Sequence, residues 1–384
     1  MAYPSIDALQ KILAQDVFGY AADRKKAAGR ALGTFVEIIT LYALDSWGYK
    51  NSIALERSIP EYANPLLTHK VEFSLHPILN STTVDLQDIQ LPITAAKITG
   101  TRPNSSNTSV VRNLSSQLLS RDSLLRNACI VGETPTGFQV ASLHSYHDAA
   151  TPTVAQVELT DLYRHPFAIV ECKRVGVEEG ARKGPQSIEK AKQGAYVARS
   201  VSSLQKIRLR NGEIGGILHH EDNSITCQPY GVLLQQVLAS NLRSLLEGFI
   251  LTIGVVSNHG NWFTAQNQNK EMKVLSQSYD WLLFLTDSAL AQFISDALLE
   301  PNADMKHVRD VFLRSYSGQR RKNSFTKVQI DLEADRKLRA YFHANRSDID
   351  KWFSLIAPHN STISELRAEL DALSQKKWKT ILNL

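Results

Sequence analysis

Phe167-Ala168-Ile169-Val170-Glu171-Cys172-Lys173 is the stretch on which the reading of this chain turns. Its first four residues are apolar and include two β-branched side chains, which predicts a strand. Side chains alternate along a strand, so Glu171 and Lys173 share a face. An acid and an amine at the end of a buried strand cost desolvation energy unless something uses them. A surface ion pair would be the bland use, and it is worth little. The strand is too apolar for an exposed edge. A hard cation held by the carboxylate, with the lysine beside a water that the cation acidifies, is the stronger use. That is chemistry suited to phosphodiester hydrolysis.

Working outward, Val154–Tyr163 reads as a second strand, joined to residues 167–175 as a hairpin around Arg164-His165-Pro166. A glycine-rich, charged loop follows over residues 176–184, and Pro185 sits at the start of a helix over residues 186–204. Two more apolar strands are expected at residues 249–257 and 279–286. Upstream, residues 5–20 and 24–47 read as helices. The second is apolar almost all round (Leu32, Phe35, Val36, Ile38, Ile39, Leu41, Leu44, Trp47), so it is expected to be packed on several sides. Gly48 is its stop signal. Residues 51–58, 70–78, 84–93 and 140–146 have strand composition, residues 99–108 that of an exposed loop, and residues 110–125 that of a helix. The region from 288 onward reads as helical, broken by the basic segment 317–324. The coarse order of helix, strand, hairpin, helix and strands predicts an α/β fold with a central mixed β-sheet flanked by helices.

At 384 residues, 43% hydrophobic and 21% charged, the chain can bury a sizeable core. A net charge of +5 permits a polyanionic partner without demanding one. Cys129, Cys172 and Cys227 are too few and too scattered for a disulfide framework or a zinc cluster. MAYPSIDALQ lacks a basic region followed by an apolar core, and no apolar run approaches the roughly 20 residues of a membrane span, so a soluble, cytoplasmic protein with no membrane partner is expected. There is no Walker loop, nucleophile elbow or dinucleotide fingerprint, so no nucleotide cofactor is expected. His219-His220-Glu221-Asp222 is better explained by a turn between strands than by a metal cluster.

Glu171-Cys172-Lys173 in this setting resembles the motif of the PD-(D/E)xK nuclease superfamily, whose best-known members are type II restriction endonucleases. Three features support the resemblance: an upstream acid, Asp161; Gln193 and Tyr196 on the following helix; and Gly33-Thr34-Phe35-Val36-Glu37, similar to the helix that precedes the sheet in resolvase-like members. The likeness spans residues 24–58 and 150–286. The chain departs from the family in having no Pro-Asp pair before Glu171 at the usual place. Asp161 shares the face of Glu171 if the hairpin turn has three residues, whereas a two-residue turn would present Glu158, and Asp148 is a further candidate.

The resemblance implies a magnesium site of Asp161, Glu171 and the Cys172 carbonyl, with Lys173 orienting the attacking water and Glu37 binding a second metal or acting through water. It implies an endonuclease acting on double-stranded DNA, most simply a sequence-specific type II restriction enzyme working as a homodimer. A junction resolvase-like nuclease and a silent DNA-binding module on the same fold are the alternatives. Residues 1–300 would form the restriction-endonuclease-like catalytic domain with an insertion at about 60–150. Residues 301–384 would form a helical C-terminal region. DNA phosphate contacts are expected from Arg182, Lys183, Arg320, Arg321 and Lys322.

Overall fold

The computed structural model of the protein describes residues 6–58, 70–100, 112–114, 116–147, 153–175, 201–258, 266, 268, 270–317 and 324–384. The chain begins with helix α1 (Ile6–Ile12) and the long helix α2 (Arg24–Ser46), followed by strands β1 (Ile53–Arg57) and β2 (Val71–Leu75). Next come β3 (Ile78–Gln87), β4 (Ile93–Thr94), β5 (Arg112–Asn113), β6 (Gln117–Leu119), β7 (Leu124–Arg126), β8 (Cys129–Glu133), β9 (Gly137–His147) and β10 (Val154–Tyr163). The motif strand is β11 (Ala168–Val175). After it lie β12 (Leu204–Arg208), β13 (Ile214–His219), β14 (Ile225–Pro229), β15 (Leu251–Asn258), β16 (Trp281–Leu285), β17 (Gln329–Asp331) and β18 (Phe353–Ala357), with helices between and after them.

The expected mixed sheet is present, in the order β1-β2-β11-β15-β16-β18. β1, β2 and β11 run antiparallel, β11, β15 and β16 run parallel, and β18 closes the far edge antiparallel. Helix α2 covers this sheet. The Asp23 side chain caps it by accepting from the Lys26 amide at 2.9 Å, and Gly48 follows its end at φ +100°. It is long and apolar enough to cross a membrane by length and composition, yet 67% of that stretch is buried in the protein. Its apolar girdle explains why. Phe35 stacks on Phe312 at 4.9 Å and meets Phe293 and Phe325 edge-on, so helices from the C-terminal part enclose α2 from the side away from the sheet.

A second, antiparallel sheet of order β3-β10-β9-β8-β5 has its own core, including Leu86, Val131, Val157 and Leu159. The inserted region therefore runs from residue 78 to residue 163, further than expected. Two stretches of chain pass side by side between the sheets. Tyr163 donates its amide to Pro77 O at 2.9 Å, and Phe167 donates to Leu75 O at 2.8 Å. Buried His76 bridges them, with Nδ1 2.8 Å from Tyr163 O and Nε2 2.8 Å from Ser74 Oγ. Burial pushes the His76 pKa down and keeps the ring neutral.

Three expectations need correction. β10 and β11 do not form a hairpin. β10 pairs with β3 and β9 along its length, so both of its edges are taken, and β11 pairs with β2 and β15. Residues 112–113, 117–119 and 124–126 are short strands where a helix was expected, because β6 and β7 join β4 and β17 in a four-stranded sheet that overrides local propensity. The C-terminal region is not helical throughout: β18 extends the central sheet, and β17 pairs with β7 of the insertion. The helix expected over residues 186–204 lies largely outside the described residues, and its last residue, Leu204, begins β12.

Arg339, on the helix Leu332–Ala344, ties these parts together. It ion-pairs with Asp45 of α2, donates to Asp335 at 2.7 Å and donates to Asn127 Oδ1 at 3.2 Å. Tyr42 of α2 donates to the other Asp335 oxygen at 2.9 Å. Arg339→Met would strand two buried carboxylates, which costs about 3–5 kcal/mol. Urea unfolding should show a loss of that size in one transition. A loss below about 1 kcal/mol, typical of an exposed pair, would contradict this role.

Candidate active site

The site lies where β2 and β11 part. Their ladder runs Ala168↔Leu75, Ile169↔Ser74 and Val170↔Phe73, and no backbone rung follows. Side chains continue it. The Cys172 amide donates to Glu72 Oε2 at 2.8 Å, and the Glu72 amide donates to the Glu171 carboxylate. Each acid thus accepts from the other strand's backbone. These reciprocal bonds anchor the two carboxylates at the mouth of the sheet. Glu171 is only 9% exposed, and its buried Oε1 has no hydrogen-bond partner among the described residues.

Two further charged groups converge. Glu37 reaches in from α2, and Lys327 from the turn before β17. Lys327 Nζ lies 2.8 Å from Glu37 Oε2 and 3.5 Å from Glu56 Oε1, and the residue is 4% exposed. Asn127 holds two successive carbonyls at this turn, donating from Nδ2 to Lys327 O at 3.1 Å and from its amide to Val328 O at 2.9 Å. Thr40, one turn along α2 from Glu37, accepts from the Cys172 thiol at 3.2 Å and packs that side chain against the helix.

The electrostatics follow from this crowding. Burial pushes the Glu72 pKa up to about 7. Lys327 opposes that rise, Glu37 adds to it, and the Cys172 amide offsets part of it. Glu171 is pushed well above the carboxylate range, first by burial and then by the charge of Glu72, with Lys327 again opposing. Burial alone would depress Lys327, but Glu72 and Glu37 outweigh it and raise its pKa. Two acids so close in a low-dielectric site cannot both ionise unless a proton or a cation joins them. The orphaned Glu171 oxygen and the all-oxygen donor set fit a hard divalent cation. Among the described residues no three acidic, histidine or cysteine side chains form a ready-made metal cage. Magnesium does not need one, because it binds through one or two carboxylates together with water and substrate phosphate.

The structure brings Glu37, Glu171 and Cys172 of the expected site into this cluster. Glu37 is there as the ion-pair partner of Lys327. Lys173 follows on β11 and is partly buried. Asp161 is elsewhere. It lies on β10 in the second sheet, opposite Asn80 and Gln139, and accepts from Gln139 Nε2 at 2.7 Å. The main charges acting on Glu171 are Glu72, Lys327 and Glu37, and Asp161 is not one of them. Without the hairpin, the face argument that put Asp161 opposite Glu171 lapses. Glu158, also on β10, accepts from Ser81 Oγ at 2.8 Å. Asp148, Arg182, Lys183, Gln193, Tyr196, Arg320, Arg321 and Lys322 lie outside the described residues. His219 and His220 sit at the expected turn, where Asn223 donates to His220 O at 3.0 Å.

Two residues of the cluster escaped the sequence reading. Glu72 carried a signal, since Val71-Glu72-Phe73 is an acid set in an apolar strand, just as Val170-Glu171 is. Lys327 carried none, because only the fold brings it in. No protein-family model matches the chain, and comparison with curated proteins and with solved structures gives no match either.

The raised carboxylates make a prediction about pH. A folded-state pKa of about 7 for Glu72, against 4.5 unfolded, means that the folded form holds its proton more tightly. The metal-free protein therefore loses stability as pH rises through that window, by on the order of 3 kcal/mol for such a shift. Glu369, raised to about 7 by burial, contributes a loss of the same sign. The test is thus the difference between variants: metal-free Glu72→Gln should be more stable than wild type at about pH 8 and should lose less between about pH 5 and pH 8 in denaturant titrations. Identical pH slopes would contradict the electrostatic account.

Proposed function

We propose that the protein is a magnesium-dependent endonuclease acting on double-stranded DNA, with a restriction-endonuclease-like core. Glu72 and Glu171 are its metal-holding acids and Lys173 its catalytic amine. The observation that carries this reading is the buried Oε1 of Glu171, beside Glu72 and unpartnered among the described residues. Such an orphan costs stability unless a ligand meets it. The order of elements agrees: a helix bearing Glu37, three antiparallel strands, then a strand parallel to the motif strand. Glu72 takes the place that the family gives to the acid of its Pro-Asp pair, and it does so from the partner strand of β11.

Bound there, magnesium would acidify a coordinated water and offset charge on the scissile phosphate. The chain's own residues supply the rest. Glu72 and Glu171 are fixed by reciprocal amide bonds, so their free oxygens are directed before substrate arrives. Lys173 shares the strand face of Glu171, from which its ammonium would orient the attacking water and balance negative charge on the phosphate. A type II restriction enzyme acting as a homodimer is the form of this activity we propose, because cutting both strands of a symmetric site calls for two such centres. The sheet over residues 78–163 supplies surface for sequence readout outside the core.

Incubation with plasmid DNA and magnesium should give discrete fragments. Cleavage of branched DNA alone would indicate a structure-specific nuclease, and binding without cleavage a silent module. Glu72→Gln, Glu171→Gln and Lys173→Ala should each lower cleavage at least about a hundredfold, with DNA binding by Lys173→Ala largely retained. Asp161→Ala should still cut. If Asp161→Ala is inactive in a folded protein while Glu72→Gln is active, the assignment of the acids is wrong.

A further inference from the structure

We infer that Lys327 is a built-in cation that takes the place of a second metal ion, so that each active centre holds one divalent ion. This rests on the metal-dependent reading above and goes beyond it by assigning a role to Lys327 and fixing the ion count.

Charge supports it first. The charges that act on Glu171 come from Glu72, Glu37 and Lys327, so with Glu171 itself the cluster has three negative charges and one positive charge, while the Lys173 ammonium is set against the substrate phosphate. The two left over match one divalent cation. Glu56 also approaches Lys327, but its side chain is half exposed and water screens it. A second divalent ion would leave the same group with excess positive charge.

Geometry supports it independently. A second ion would need a further anionic oxygen, and Glu37 is the remaining acid of the cluster. Its Oε2 is already engaged by the Lys327 ammonium at 2.8 Å. That ammonium cannot swing away cheaply. Asn127 holds the carbonyls of Lys327 and Val328, Thr326 and Gln329 close the turn through a 2.8 Å bond, and the Phe73 ring lies 5.9 Å from Nζ. Paired metal ions sit about 3.5–4 Å apart, and here a fixed ammonium stands at the carboxylate that the second ion would use. Lys327 is therefore a positioning residue. It sets the charge of the centre and holds Glu37 away from the metal-binding pair.

The test counts Mn2+ ions bound by the full-length, DNA-free protein, by electron paramagnetic resonance with excess Mn2+. Wild type should hold one ion at the cluster. Lys327→Met removes the internal cation and releases Glu37, so it should gain a second ion, whereas Lys327→Arg should stay at one. Glu37→Gln should also stay at one, because Glu37 is not a ligand in this account. Two ions in wild type, falling to one in Glu37→Gln, would overturn the inference and leave the metal-dependent reading standing. A folded Lys327→Met that stays at one ion would overturn it as well. No bound ion in wild type would instead overturn the metal-dependent reading itself. Should Lys327→Met fail to fold, the wild-type and Glu37→Gln counts still decide.

Discussion

Two carboxylates standing in for the next rung of a β-ladder are the feature around which this molecule is arranged. Where β2 and β11 separate, Glu72 accepts from the Cys172 amide and Glu171 from the Glu72 amide. The exchange satisfies backbone donors that the diverging strands would leave open. It also pins two acids within one buried site, at a free-energy cost visible in their raised pKa values. A fold gains nothing from such a site if only the strands need joining, since ordinary backbone pairing would do that without burying charge.

A second buried acid in the same sheet shows what a purely structural carboxylate looks like. Asp280, just before β16, accepts from the Thr252 amide and hydroxyl at 2.7 Å each and from the Tyr230 hydroxyl at 2.5 Å, and Lys206 lies 3.2 Å away. Both of its oxygens are satisfied, and it locks β15 to β16. Glu171 sits two strands from β16, also buried, with an oxygen that has no hydrogen-bond partner among the described residues. The contrast between a saturated acid and an open one is why the second is read as a binding group. Distant parts of the described chain converge on the open one. Lys327 comes to it from the C-terminal part, held by Asn127 of the inserted region, which Arg339 in turn fixes to Asp45 and Asp335.

Much of this was legible in the sequence, and the limits have physical causes. The buried helix over residues 24–46, the motif strand, and the apolar strands at 251–258 and 281–285 announced themselves through long apolar patterns, which tertiary context seldom overturns. Glu171 and Lys173 stood out because charge at the end of an apolar strand is costly. Asp161 was expected beside Glu171 because sequence adjacency suggested a hairpin between β10 and β11, and those strands do not pair. The antiparallel partner of β11, β2, lies almost a hundred residues upstream, with a whole sheet inserted between. Pairing over that separation leaves no local trace. Lys327 was hidden for the same reason: its relation to Glu37 spans 290 residues and exists only once β17 has paired with β7.

The central claim is that Glu72 and Glu171 form the seat of a divalent cation. Diffraction from crystals soaked in Mn2+, collected at an energy where manganese scatters anomalously, tests it most directly. The account predicts an anomalous peak between the two carboxylates, within coordination distance of Glu171 Oε1. A well-ordered site with no peak there, its two acids joined by a proton, or a peak seated instead at Asp161, would contradict it.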